Sequence, residues 1–189
     1  DKNNIRTIDT SSAYVNSEKV LGKINIKNAR YITKIIPPSK NLSKEKIKRR
    51  IKNTIKRSLK RLKTKKIYAV LLHKADRLTQ HNGKIIYETL NNFKKEKIIS
   101  KIGISIYDFK ILKKILNNYN LDIIQVPYNI FDKRIKKKKL IRKLKKKNIQ
   151  IHARSIFLQG ILLKKELKLP KKISKLKTNL IKWKKWLEQ

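Results

Sequence analysis

Cysteine is absent from the 189 residues, which excludes disulfides and thiolate metal sites and fits a reducing, cytoplasmic compartment. Glycine is scarce. Gly22, Gly83, Gly103 and Gly160 are the only four, and none belongs to a G-x-G-x-x-G turn, which argues against an open sheet that cradles a dinucleotide. No apolar run approaches the ~18 residues of a membrane span, and the polar start Asp1-Lys2-Asn3-Asn4 has no apolar stretch of an export signal. No membrane partner is expected. Histidine occurs only at 73, 81 and 152, without a ligand pair at helical spacing, so no metal site is expected.

Acidic residues are also few, 12 against 53 basic ones, for a net charge of +41. That balance invites a nucleic-acid reading. The excess, however, is spread over almost every polar segment and travels with abundant Ile and Asn, which share A/T-only codons with Lys. An AT-biased genome accounts for the composition more simply, and no specific nucleic-acid partner is expected.

Short apolar runs alternate with amphipathic ones along the chain. Ile5 to Ile8 reads as a strand closed by Asp9, and Asn16 caps a short helix ending near Gly22. Ala29 to Ile36 is a strand with Lys34 close to its end. From Ser43 to Leu62, Ile47, Ile51, Ile55, Leu59 and Leu62 recur at helical spacing on a basic background. Ile67 to Leu72 is a strand buried on both faces, ending on His73. A helix over 84–98, a strand over 101–104 ending on Ser105, a helix over 108–118 and a strand over 121–128 containing Gln125 follow. A basic helix over 136–147 then leads to a strand over 149–156 with His152, Arg154 and Ser155. The whole of 1–189 reads as one domain that closes with an amphipathic helix over 170–189, where Ile173, Leu176, Leu180, Trp183 and Leu187 share a face.

Strand and helix alternate without hairpin signals, the pattern of an α/β protein with a parallel sheet. With the Gly-rich turn missing, a (β/α)8 TIM barrel fits best, because catalytic groups there stand at the C-terminal ends of several strands. Asp9, Lys34, His73, Ser105, Gln125 and Ser155 stand at or near such ends, where core packing does not explain polar residues. About six strands are readable where a closed barrel has eight, and 189 residues fall short of the ~250 usual for that fold. The barrel is therefore expected to be incomplete at one or both ends.

Four of these residues suggest a chemistry. Asp9 followed by small polar residues is also ordinary turn chemistry. With Tyr14, Lys34 and His73 at one barrel mouth, though, it makes a set suited to reducing a carbonyl. A tyrosine titrates near pH ~10 when unperturbed, and a neighbouring ammonium eases its proton donation to a developing alkoxide. Lys34 supplies that charge, Asp9 holds Lys34, and His73 orients the carbonyl oxygen.

The ordered set Asp9-Thr10, Tyr14, Ser17-Glu18 to Gly22, Thr33-Lys34, Ser58 to Leu62 and Leu71-Leu72-His73 resembles the aldo-keto reductases. Lys101 to Ser105, Gln125 to Asn129, Ala153-Arg154-Ser155 and Gln159-Gly160 continue the likeness. The resemblance covers residues 5 to 163 and implies a barrel binding NADPH, with NADH as the other option, and acting on a small carbonyl compound. It implies Tyr14 as proton donor, tuned by Lys34 and Asp9, with His73 on the carbonyl. Ser105 and Gln125 would bond the nicotinamide carboxamide, and Arg154 with Ser155 would complete the cofactor contacts. Ile106 stands where many members have Asn, and Arg154 where many have a tyrosine stacked on the nicotinamide; a guanidinium also stacks on a flat ring. The alternative is a barrel without turnover that acts as a basic RNA-binding or interaction protein, through the helices over 43–62 and 136–147.

Overall fold

A computed structural model describes residues 5–164, 174 and 176–188. Among them the alternation read from the sequence becomes six strands and six α-helices. They are β1 (Thr7–Asp9), α1 (Ser17–Ile24), β2 (Arg30–Ile35), α2 (Lys44–Leu62), β3 (Ile67–Leu72), α3 (Gly83–Lys95), β4 (Ile99–Ser105), α4 (Leu112–Asn118), β5 (Ile123–Pro127), α5 (Lys138–Lys146), β6 (Gln150–Arg154) and α6 (Lys177–Leu187).

The strands form one sheet in the order β1-β2-β3-β4-β5-β6, with the successive pairs from β1 to β5 parallel. A doubly wound sheet reverses its strand order at a switch point; among the described residues this one does not. Each strand lies beside its successor, as in a (β/α)8 barrel, and six of that fold's strands are present among the described residues. The chain divides into two compact units, one of residues up to 126 with 135–152, the other of 127–134 with 153 onward.

Burial explains why these segments are strands. β3 and β5 are covered on both faces almost throughout, as continuous apolar runs require. α2 turns Ile47, Ile51, Ile55 and Leu62 inward, each contributing about 1.5–3 kcal/mol of burial. Ser58 is the further buried residue of that stripe and Leu59 is only half-buried. Ser43 caps α2, its hydroxyl accepting from the Lys46 amide at 3.4 Å, and Lys63 ends it in the left-handed conformation.

Several boundaries differ from those the sequence predicts. α1 runs past Gly22 to Ile24 and stops at Asn25, whose φ is 51°. Gly22 is needed for close packing instead of termination, since a Cβ there would overlap the Arg61 carbonyl at the end of α2. Asn16 occupies the N-cap of α1, but its side chain makes no capping bond. The helix expected over 108–118 opens as a 3-10 turn at Phe109–Ile111, where the Asp108 carboxylate takes the Lys110 amide at 2.8 Å. β6 ends at Arg154 because Ser155 has a φ of 57°. In α6, Leu180 is buried and Leu187 is exposed; Ile173 lies outside the described residues.

Candidate functional site

The register places the candidate residues on one face of the sheet. Asp9 pairs with Ile32, two residues before Lys34 on the same face. Lys34 pairs with Leu71, and Leu71 precedes His73 by two. Leu71 pairs with Gly103, two before Ser105, and Ser105 pairs with Gln125. Gly103 permits the approach, since a Cβ there would meet the Ile123 carbonyl and the Leu71 side chain.

The segment after Asp9 is stitched onto β2. Thr10 donates its amide to the Ile32 carbonyl at 2.8 Å and Ser12 its amide to the Lys34 carbonyl at 3.0 Å. That same carbonyl accepts from the Ser11 hydroxyl at 3.1 Å and the Ser12 hydroxyl at 3.0 Å. The small polar residues thus do bond to backbone, while the Asp9 carboxylate is turned to side chains. Its Oδ2 accepts from Lys34 Nζ at 2.5 Å, and its Oδ1 from Gln125 Nε2 at 3.1 Å. Lys34 also donates to the Thr10 carbonyl at 3.0 Å.

Lys34's side chain is only 3% exposed. A buried ammonium is costly unless paired and bonded, and here a carboxylate and a carbonyl meet that cost. Its Nζ lies 5.5 Å from the centre of the Tyr14 ring. His73 stands edge-on to Tyr14, with ring centroids 6.3 Å apart and planes at 82°. The Tyr14 side is open to solvent, the residue being 45% exposed. Asp9, Lys34, Tyr14, His73 and Gln125 are therefore brought together by direct contacts, with Ser105 beside Gln125 by register.

Both Ser105 and Gln125 are buried. Gln125 Oε1 has no hydrogen-bond partner, a costly state for a buried acceptor. An amide ligand with a free N–H fits that orphaned oxygen. A cavity of about 650 Å³ opens beside His73 and Ser105, with Ile36, Ile106 and Ile111 on its apolar wall and Lys74, Asp76 and Asp108 among its polar lining.

Arg154 and Ser155 belong to the other unit. There the Arg154 carbonyl accepts from the Tyr128 amide at 3.1 Å, and the Ser155 carbonyl from Asn129 Nδ2 at 3.2 Å. Asn129 Oδ1 in turn takes the Phe131 and Asp132 amides, each at 2.9 Å. Hydrogen bonds from Arg134 hold the Asp132 carboxyl below its usual range, with the charge of Arg154 adding to the effect.

Three supports escaped the sequence reading. Gln125 bonds to Asp9 across 116 residues, a pairing that no local pattern signals. The Thr10 carbonyl on Lys34 is backbone and leaves no trace in residue type. Behind the site, buried Glu18 accepts from the Thr33 hydroxyl at 2.8 Å and faces Arg61 at 3.6 Å, so α1 and α2 are tied to the residue next to Lys34. An acid in a chain with so few was the available signal.

The sequence matches the model of the aldo/keto reductase family over residues 2–188. No curated protein matches it. Solved structures do. An aldo-keto reductase from Bacillus halodurans in its holo form is 24% identical with a TM-score of 0.71, over 90% of this chain and 58% of that one. The glycerol dehydrogenase from Gluconobacter oxydans is 21% identical with a TM-score of 0.70, over 90% and 56%. An aldo/keto reductase from Klebsiella pneumoniae in complex with NADP and acetate is 18% identical with a TM-score of 0.68, over 94% and 62%. The chain thus spans a little over half the length of the solved structures it matches.

Proposed function

We propose that this chain, which belongs to the aldo/keto reductase family, carries the proton-donating half of an NAD(P)H-dependent carbonyl reductase, with Tyr14 as the acid. The observation that carries this reading is the clamped Lys34. It is almost wholly buried, held by Asp9 and the Thr10 carbonyl, with its charge 5.5 Å from the centre of the Tyr14 ring. A lysine kept only for packing does not call for a carboxylate at a strand end and a tyrosine and a histidine beside it.

The reaction is the addition of hydride to a carbonyl carbon and of a proton to its oxygen. The Tyr14 O–H delivers the proton as negative charge grows on that oxygen, and the Lys34 ammonium stabilises the phenolate left behind. Asp9 fixes Lys34 in charge and position. His73 donates a hydrogen bond that aligns the carbonyl before transfer. Tyr14, partly open to water, regains its proton from solvent. A bound reduced nicotinamide supplies the hydride. Ser105 and the unpartnered Gln125 oxygen suit its carboxamide. NADPH is the cofactor proposed, in keeping with the NADP complex of the Klebsiella pneumoniae protein. The substrate proposed is a small aldehyde or ketone taken into the cavity beside His73, whose lining is mostly apolar.

NADPH titration by quenching of Trp183 and Trp186 fluorescence tests this, on the wild type and on Tyr14→Phe. Saturable binding by both, with aldehyde-dependent NADPH oxidation by the wild type only, is the expected outcome. A folded chain that binds no NADPH contradicts it.

A further inference from the structure

The exposed face of α2 holds a feature that the reductase chemistry does not use. Behind the end of β2, a cavity of about 440 Å³ lies between the Pro37-Pro38-Ser39 turn and α2, and Arg50, Asn53, Thr54 and Arg57 of that helix line it. These four fall at i, i+3, i+4 and i+7, one face of a helix. Every polar side chain in the lining is a donor or carries one, and none is a carboxylate. Neither guanidinium is ion-paired among the described residues.

Thr54 links the two arginine positions. Its hydroxyl donates to the Arg50 carbonyl at 2.9 Å and accepts from Arg57 Nη2 at 3.5 Å, which sets the Arg57 fork beside the cavity. The use of arginine here is itself informative. Only ten of the 53 basic residues are Arg, and several of the ten make contacts that suit a guanidinium. Arg61 sits against Glu18, Arg134 grips Asp132 and Arg30 stacks on Tyr68. Those three use the planar fork or face that lysine lacks. Arg50 and Arg57 have a cavity in front of them and no carboxylate partner among the described residues.

We propose that this cavity binds a phosphoryl group, free or on a small ester, through the forks of Arg50 and Arg57 with Asn53 and Ser39 completing the donor set. Two guanidinium groups match the oxygens of a tetrahedral dianion. Binding is independent of the reductase reading, since none of these residues belongs to that site.

Calorimetric titration with inorganic phosphate and with propyl phosphate, at ~0.15 M chloride to screen diffuse attraction, tests it on the full chain. One saturable site is expected, and the tighter probe identifies the source of the group. Arg50→Lys with Arg57→Lys keeps the charge, loses the forks and weakens binding about tenfold or more. Lys52→Gln with Lys56→Gln, which removes two exposed charges from the same helix outside the cavity, leaves it within about twofold. No saturable binding, or equal weakening in both double variants, overturns the proposal.

Discussion

Two lysines stand on the same face of the sheet, each beside a tyrosine, and their surroundings differ. Lys34 lies level with Leu71 and Gly103 in the register, and Lys101 one layer below, two residues before Gly103. Lys101 Nζ lies 5.1 Å from the centre of the Tyr68 ring, with Arg30 5.5 Å from the same ring and the Tyr68 hydroxyl donating to Gln150 Oε1 at 3.3 Å. The hydrogen bond from Lys101 draws the Tyr68 phenol below its ordinary pKa. Lys34 has the same cation–ring relation to Tyr14, and in addition a carboxylate, a backbone carbonyl and a neighbouring imidazole. A lysine near a tyrosine is therefore no signature by itself. The difference lies in the fixed partners, the Asp9 carboxylate and the Thr10 carbonyl, that orient Lys34 beside Tyr14.

The largest expected effect separates the two lysines outright. Lys34→Met lowers turnover by about 10³-fold, in the range of a lost transition-state charge partner, while NADPH affinity by fluorescence stays within about threefold. Lys101→Met and Tyr68→Phe change turnover by less than about threefold, because neither touches the carbonyl. Equal losses at Lys34 and Lys101 would erase the contrast. Next comes Asp9→Asn, which keeps the shape but leaves Lys34 without its counter-charge; turnover falls by about 10–10²-fold, with little change in KM.

Two glycines supply a second comparison. Gly22→Ala forces the ends of α1 and α2 apart and costs about 2–3 kcal/mol in urea unfolding. Gly160→Ala, at a left-handed residue with no atom near its absent Cβ, costs about 1 kcal/mol. The smallest effect concerns His152, which feels both Asp9 and Lys101. Burial pushes its pKa below the ordinary 6.5, Asp9 opposes this, and Lys101 adds to it. The unfolded chain then binds the proton more readily than the folded one, so stability falls as pH drops below 6.5. His152→Asn flattens the melting temperature between pH ~7.5 and ~5.5; an unchanged slope would mean that other groups carry it.

Periodicity and strand-end polarity made much of this fold legible. β3 matches its predicted span, and α2 lacks only its capping serine. Their apolar spacing is long and regular, and tertiary packing has little to override. The boundaries at Gly22 and Ser155 were not legible. At the first, a glycine serves close helix contact instead of a stop; at the second, a serine takes a backbone conformation its side chain does not favour. The nearness of Asp9, Lys34 and His73 to one another was readable because polar residues at strand ends have no packing role; Tyr14, in the loop after β1, entered through the ordered set of motifs. The Gln125–Asp9 bond and the orphaned Gln125 oxygen depend on register across several strands, and local sequence does not record that. The two-arginine face of α2 was hidden by composition, since in a chain this basic a charged helix attracts no notice until a cavity singles out two of its residues.

The most direct measurement is single-turnover oxidation of NADPH with a small aldehyde by wild type, Asp9→Asn, Lys34→Met and the double variant. If Asp9 acts through Lys34, its loss adds nothing once Lys34 is gone, and the double variant is as slow as Lys34→Met alone. Multiplying losses would show the two residues acting separately and would contradict the clamp on which the assignment of Tyr14 rests.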